Sequence, residues 1–172
     1  VASETIKAGA HLINDIGGGT LDEAMFETVA ALKVPYILMH MRGTPQTMQY
    51  YTEYDHLATD VLRDLAAKLQ TLRALGVADV VIDPGFGFAK TQEQNFELLQ
   101  HVEILHELDC PLLIGISRKG MIWKTLNTTP LDALNGTTVL NTIALMKGAH
   151  ILRVHDVKEA VEAVALVQQM RG

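Results

Sequence analysis

DVVIDPGFGFAKTQEQ, from Asp79 to Gln94, holds a strand, a turn and the start of a helix. Val80, Val81 and Ile82 are consecutive β-branched residues, the pattern of a strand covered on both faces. Pro84, Gly85 and Gly87 cannot continue it. Thr91 and Gln94 then have capping-box spacing, ahead of apolar positions at Phe96, Leu99, Val102 and Leu105 that recur as on a helix. The stretch is a βα unit, and its strand ends on a carboxylate, Asp83.

The same unit recurs in both directions. Upstream, Val1 to Gly9 reads as a helix stopped by Gly9, and HLINDI (11–16) as a strand broken by the glycines 17–19. Thr20 and Glu23 repeat the capping-box spacing before a helix through Met25, Phe26, Val29 and Leu32. VPYILMH (34–40) is the next strand, and MRGTPQTMQ (41–49) is a turn-rich loop. A stripe of Leu57, Val61, Leu62, Leu65, Leu69, Leu72 and Leu75 marks a helix ended by Gly76. Downstream, LLIGISRKG (112–120) opens as a strand, and Thr129 with Pro130 predicts the start of a helix running to Gly148. ILRVHD (151–156) is a fifth strand, and an amphipathic helix closes the chain. Unbroken alternation of strand and helix predicts a parallel α/β sheet with right-handed crossovers.

With 172 residues and 48% hydrophobic content, the chain has the size of one domain, 1–172. Its formal charge of −6 argues against nucleic acid or an anionic membrane as a partner. Any anion must be held by a local cationic pocket. Cys110 is the only cysteine and forms no internal disulfide, and no apolar run is long enough to span a bilayer. Both point to the cytoplasm.

Parallel strands all end at one face, so their terminal polar residues converge. These are Asn14 and Asp15, His40 and Arg42, Asp83, Ser117 to Lys119, and Arg153, His155 and Asp156. Asp15 is best read as a backbone partner in the glycine turn. Asp83 closes an apolar run, and an isolated buried carboxylate is costly, which favours a functional role. His40 reads equally well as a core histidine or a site residue, and Arg42 equally as a surface charge or an anion ligand. Arg153, inside a short apolar strand, needs a partner and with His155 suits a phosphate. Met39 and Met41 read as core fillers. Cys110 sits at the far end of the sheet, and the remaining histidines show no metal-ligand spacing. The glycine turns match neither GxGxxG nor GxxxxGK, so dinucleotide and P-loop folds drop out.

AGAHLINDIGGG, YILMHMRGTPQTMQ, VIDPGFGFAKT, LLIGISRKG and ILRVHDV, in that order, resemble the dihydropteroate synthase family of pterin-binding enzymes. The resemblance implies a TIM (β/α)8 barrel, of which this chain would supply about five parallel strands with flanking helices. It also implies folate biosynthesis: a dihydropterin-6-ylmethyl diphosphate and 4-aminobenzoate condense to dihydropteroate and pyrophosphate, with Mg²⁺ present. By similarity Asn14 and Asp83 hold the pterin edge, Met39 lines its pocket, and Phe88 walls the aminobenzoate ring. Lys119 lies between the two substrates, beside Ser117, Arg118 and Gly120, while Arg153 and His155 hold the diphosphate. Lys119, Arg153 and His155 are the expected catalytic residues. The complete enzyme would be a cytoplasmic homodimer and a sulfonamide target.

Three positions depart from the family pattern: Gly17 stands for Ser, Ala89 for Gly, and Gly120 for a Ser that helps bind the aminobenzoate carboxylate. A barrel takes about 250 residues and eight strands. The expectation is therefore of a chain truncated at its N-terminal side, lacking the family's Mg²⁺ ligand, with no metal ligand in this segment, and inactive or nearly so alone. Competing readings are a methyltetrahydrofolate-type pterin methyltransferase, a metal hydrolase using His40, Asp83 and His155, and a non-catalytic pterin-binding remnant.

Overall fold

The computed structural model describes residues 1–171, in which helices and five short parallel strands alternate. The strands are β1 (Ile13–Asp15), β2 (Tyr36–Met39), β3 (Val80–Asp83), β4 (Leu113–Ile114) and β5 (Ile151–Leu152). The helices are α1 (Ala2–Lys7), α2 (Met25–Leu32), α3 (Leu57–Ala74), α4 (Gln92–Gln100), α5 (Gly120–Thr125), α6 (Leu134–Met146) and α7 (Val157–Arg171). β1, β2 and β3 form one hydrogen-bonded sheet and β4 and β5 a second pair, joined by a parallel bridge between Ile82 and Leu112. Spatial order follows chain order throughout. A doubly wound sheet would reverse direction at a switch point, whereas a barrel keeps consecutive strands adjacent. The chain is a partial (β/α)8 barrel.

Register sorts the side chains onto two faces. Tyr36 pairs with Val80 and Leu38 with Ile82, so these four point together, and they lie with Leu112 and Ile114 in the main core. That face packs on α3, whose Leu57, Val61, Leu65, Leu69 and Leu72 are buried at helical spacing. Each such side chain, fully buried, stabilises the fold by about 1.5–3 kcal/mol. The opposite face carries Asn14, Ile37 and Val81 in one row, and Met39 and Asp83 in the row beyond. Asp83 therefore belongs to the barrel's inner side.

Several expected boundaries move. The Thr91–Gln94 capping box forms, but the one at Thr20 and Glu23 does not: Thr20 Oγ1 donates to Gly17 O, and α2 starts after Ala24 with no side-chain cap. α4 stops at Gln100 and passes into a 3-10 helix, Val102–Leu108, rather than running on through Leu105. Leu75 lies beyond α3 and is exposed. The helix expected from Thr129 starts at Leu134; the segment before it is a turn in which Thr129 Oγ1 donates to Asp132 Oδ2 and Arg118 Nη1 donates to the carbonyls of Pro130 and Leu131 at 2.8 and 2.7 Å. The short α5 is absent from the pattern read in the sequence.

Candidate functional site

Asp83 ends β3 on the inner face and is 1% exposed. Its Oδ1 accepts the Gly85 N–H at 2.8 Å. Arg153 Nη1 stands 3.0 Å from Oδ2, an ion pair by distance, although neither atom has an aligned hydrogen bond. The guanidinium reaches Asp83 by crossing Gly115. A Cβ on Gly115 would lie 2.6 Å from Arg153 Nη2, so only glycine leaves this passage open. A glycine inside an apolar strand marks such a close approach, and that is the signal by which Gly115 could have been found.

Lys119 Nζ donates to the Phe86 carbonyl and lies 4.9 Å from the centre of the Phe88 ring. Burial lowers its pKa to about 8, against the raising pull of Asp83. The loop it touches is tied at every turn. Gly87 N donates to Asn95 Oδ1 at 2.6 Å, and Lys90 Nζ lies 3.0 Å from Gly85 O, Phe88 O and His40 Nδ1. Gly85 itself must be glycine, since at φ +70° its Cβ would stand 2.0 Å from His40 O. Neither Lys90 nor Asn95 stands out in the sequence, because their partners are mostly backbone groups, with the His40 ring fifty residues away from Lys90, and such contacts leave no spacing pattern. Asn95, a buried polar residue on an otherwise apolar helix side, was the more legible of the two.

Ser117 and Arg118 grip His155 and Asp156 pairwise. Ser117 Oγ accepts the His155 N–H at 3.1 Å and lies 3.0 Å from its Nδ1, which leaves Nε2 of this exposed ring free for a ligand. Arg118 binds Asp156 with two parallel hydrogen bonds of 2.9 and 2.7 Å. The Asp156 hydrogen bond raises the Arg118 pKa, and the Asp156 carboxyl is held below its ordinary range by the same contact. With Pro130 O and Leu131 O also bound, Arg118 turns its side chain to the protein.

The fold thus brings together Asp83, Lys119, Arg153 and Phe88, with Ser117 and His155 at the rim. Met39 is fully buried on the same face, beside the Gly85 turn. Asn14 is exposed on that face, across β2 from Asp83 at a distance on the order of 10 Å. Gly120 opens α5 next to Lys119. His40 is a core residue: burial, with the nearby Lys90 charge, lowers its pKa to about 2, so the ring is neutral. Arg42 stacks 3.9 Å over the Tyr54 ring and donates to Glu53 O. Asp15 binds Gly17 N, Gly19 N and Tyr36 OH, the turn-holding role expected of it. Burial raises the Cys110 thiol, in keeping with an unreactive cysteine. Arg153 pairs with the one carboxylate and the Lys119 ammonium lies within its field, so the site carries a surplus positive charge that suits an anion.

Ala89, where the family pattern has glycine, stands at φ +48°. This left-handed geometry costs an L side chain about 1–2 kcal/mol, while glycine's freedom in the unfolded chain returns about 0.4–1. Ala89→Gly should therefore raise the unfolding free energy by roughly 0.5–1 kcal/mol in urea titration. A lowered midpoint would show that the alanine is not strained.

The family model for pterin binding enzymes matches residues 1–155. The dihydropteroate synthase of Escherichia coli K12 is 42% identical over 170 residues, covering 98% of this chain and 60% of that protein. The chain thus spans less than two thirds of that relative's length. The Thermus thermophilus dihydropteroate synthase in complex with 6HMPPP superposes with a TM-score of 0.94 at 37% identity, over 100% of this chain and 69% of its own. Its complex with 4-aminobenzoate gives 0.94 at 36% identity, over 99% and 70%.

Proposed function

The chain belongs to the family of pterin binding enzymes, and from that premise we propose that its site holds a dihydropterin diphosphate and, in the complete protein, joins it to 4-aminobenzoate, the part spanned here being inactive or nearly so by itself. The observation that carries this reading is the buried Asp83 paired with Arg153, with the Lys119 ammonium held on the neighbouring Phe86 carbonyl, in a molecule of net charge −6. A carboxylate and the Asn14 amide complement a ring edge that offers both donors and acceptors. Met39 supplies an apolar wall. Arg153 and the free Nε2 of His155 hold the diphosphate.

In the reaction the bond between the pterin methylene carbon and the diphosphate oxygen breaks, and its electron pair leaves with pyrophosphate. The arylamine nitrogen then bonds to that carbon and loses a proton. Arg153, His155 and Lys119 stabilise the negative charge as it develops on the leaving group, which is where preorganised cations lower a barrier most. No side chain is needed as a nucleophile. The resemblance implies a magnesium ion whose protein ligand lies outside this segment; the described residues contain no group of three His, Cys, Asp or Glu that could hold a metal. Asp83, the site's carboxylate, is engaged by Gly85 and Arg153. No step is assigned to the ion. The reading extends to a cytoplasmic protein that binds neither nucleic acid nor membrane, supported by the charge and the single cysteine, and to the homodimer that the resemblance implies for the complete protein; among the described residues no helix is long and apolar enough to cross a membrane.

Calorimetric titration tests the proposal. The dihydropterin diphosphate should bind more tightly than neutral hydroxymethylpterin, with an affinity that falls as salt rises. Equal binding of the two, or binding of methyltetrahydrofolate instead, would overturn it.

Gly120 bears on the second substrate. A Cβ there would meet only Lys124 and Trp123 side-chain atoms at 3.6 Å or beyond, so a serine fits. One added hydroxyl contributes about 0.5–1.5 kcal/mol, and Gly120→Ser should tighten 4-aminobenzoate binding roughly 2- to 10-fold on pterin-loaded protein. An unchanged affinity would remove Gly120 from the account of that subsite.

A further inference from the structure

Lys90 is a buried cation that the reaction does not use. Its side chain crosses beneath the turn that follows β3, and the ammonium's three hydrogens face three acceptors, Gly85 O, Phe88 O and His40 Nδ1, each at 3.0 Å. Donor and acceptor counts match, which is how a buried ammonium is satisfied without a carboxylate in contact. The turn is held from its other side by Asp83, through Gly85 N, and at its tip by Asn95, through Gly87 N.

We propose that Lys90 is a positioning residue for the pterin site, pinning the Gly85–Phe88 turn so that the Phe86 carbonyl and the Phe88 ring stand where Lys119 meets them. Lys90 touches no substrate; it acts through the turn. The assignment to a pterin site rests on the function proposed above, but the pinning itself does not.

The pin makes a definite demand on His40. To accept from the ammonium, Nδ1 must be unprotonated, so the ring hydrogen sits on Nε2, which is buried without a partner. The neutral state of this ring fits that demand. His40 faces Lys90 as a neutral ring, and the charged groups that act on Lys90 are Asp83, Lys119, Arg42 and Asp64. Burial lowers the Lys90 pKa to about 7, so the ammonium form is the one to examine below neutrality.

Lys90→Met keeps the stem and removes all three donors. By hydrogen exchange on the whole chain, the Gly85–Phe88 amides should exchange at least about 10-fold faster than in the parent, with the β2 amides unchanged. Hydroxymethylpterin, as the binding probe, should bind about 10-fold more weakly to the variant. Unchanged turn exchange, or equal acceleration everywhere with unchanged pterin affinity, would overturn the proposal and leave Lys90 a general stabiliser. Should the variant fail to fold, ¹⁵N spectra of the His40 ring in the parent chain at about pH 6 decide the matter. A hydrogen on Nε2 supports the pin, and a hydrogen on Nδ1 overturns it, since Nδ1 could not then accept. If the parent chain binds no pterin, the proposed function fails, while exchange and ring spectra still decide the role of Lys90.

Discussion

Asp83→Asn should weaken binding of the dihydropterin diphosphate roughly 10- to 100-fold, the equivalent of one buried charge-assisted hydrogen bond of about 1.5–3 kcal/mol. Asparagine can keep an oxygen toward Gly85 N, now held at 2.8 Å. The second atom then becomes an amide donor facing the Arg153 guanidinium, where a carboxylate oxygen stood at 3.0 Å. Two donors meet, and Arg153 turns away. A second effect follows from charge. Asp83 raises the pKa of both Lys119 and Lys90 against the lowering effect of burial. Without it Lys119, now at about 8, gives up its proton nearer to neutral pH, and the site loses a cation along with its carboxylate. Neutral hydroxymethylpterin should lose affinity too, because the pterin edge loses its charged acceptor. Calorimetry with both ligands reads this directly, and affinities within about twofold of the parent would sink the assignment of Asp83 to the pterin.

Gly115→Ala should produce the complementary pattern from a single methyl group. Its Cβ would stand 2.6 Å from Arg153 Nη2 and 3.1 Å from Cζ. The obstructed group is the far end of a flexible, partly exposed side chain, so the guanidinium moves and the fold survives. Displaced from the inner face, Arg153 can no longer reach a diphosphate, and affinity for the charged ligand should fall roughly 10- to 100-fold. Hydroxymethylpterin, which has no diphosphate, should bind within about threefold of the parent. Equal losses for both ligands would mean that the methyl disturbs the whole site, and no loss for either would remove Arg153 from anion binding. The contrast with Asp83→Asn separates the two halves of the ligand.

The strands and the convergence of Asp83, Lys119, Arg153 and His155 were legible because they rest on local signals: apolar runs, punctuating glycines, and polar residues at strand ends; the barrel arrangement was legible only through the family resemblance. Boundaries were less legible where a distant side chain decides them. Thr20 and Thr91 share the same capping spacing, yet only Thr91 caps, since the triple-glycine turn draws the Thr20 hydroxyl back to Gly17 O. Thr129 and Pro130 have the chemistry of a helix start, but the Thr129 hydroxyl binds Asp132 and the distant Arg118 holds Pro130 O and Leu131 O in a turn ahead of the helix. Lys90 shows the same limit within the site: its partners are two carbonyls and a ring nitrogen brought close by folding. Ala89 was visible only as a departure from the family pattern, and its φ shows why that departure carries a cost.

β4 and β5 are each two residues long and share two paired positions, Leu113 with Ile151 and Ile114 with Leu152. Beyond them the ladder ends, and the positions of Lys119 and His155 depend on Ser117 holding His155 and Arg118 holding Asp156. The aim of the rim ligands is therefore set by a few side-chain hydrogen bonds and not by the strand ladder, so a single lost contact there can turn a ligand away while the strand pairing below it stays intact.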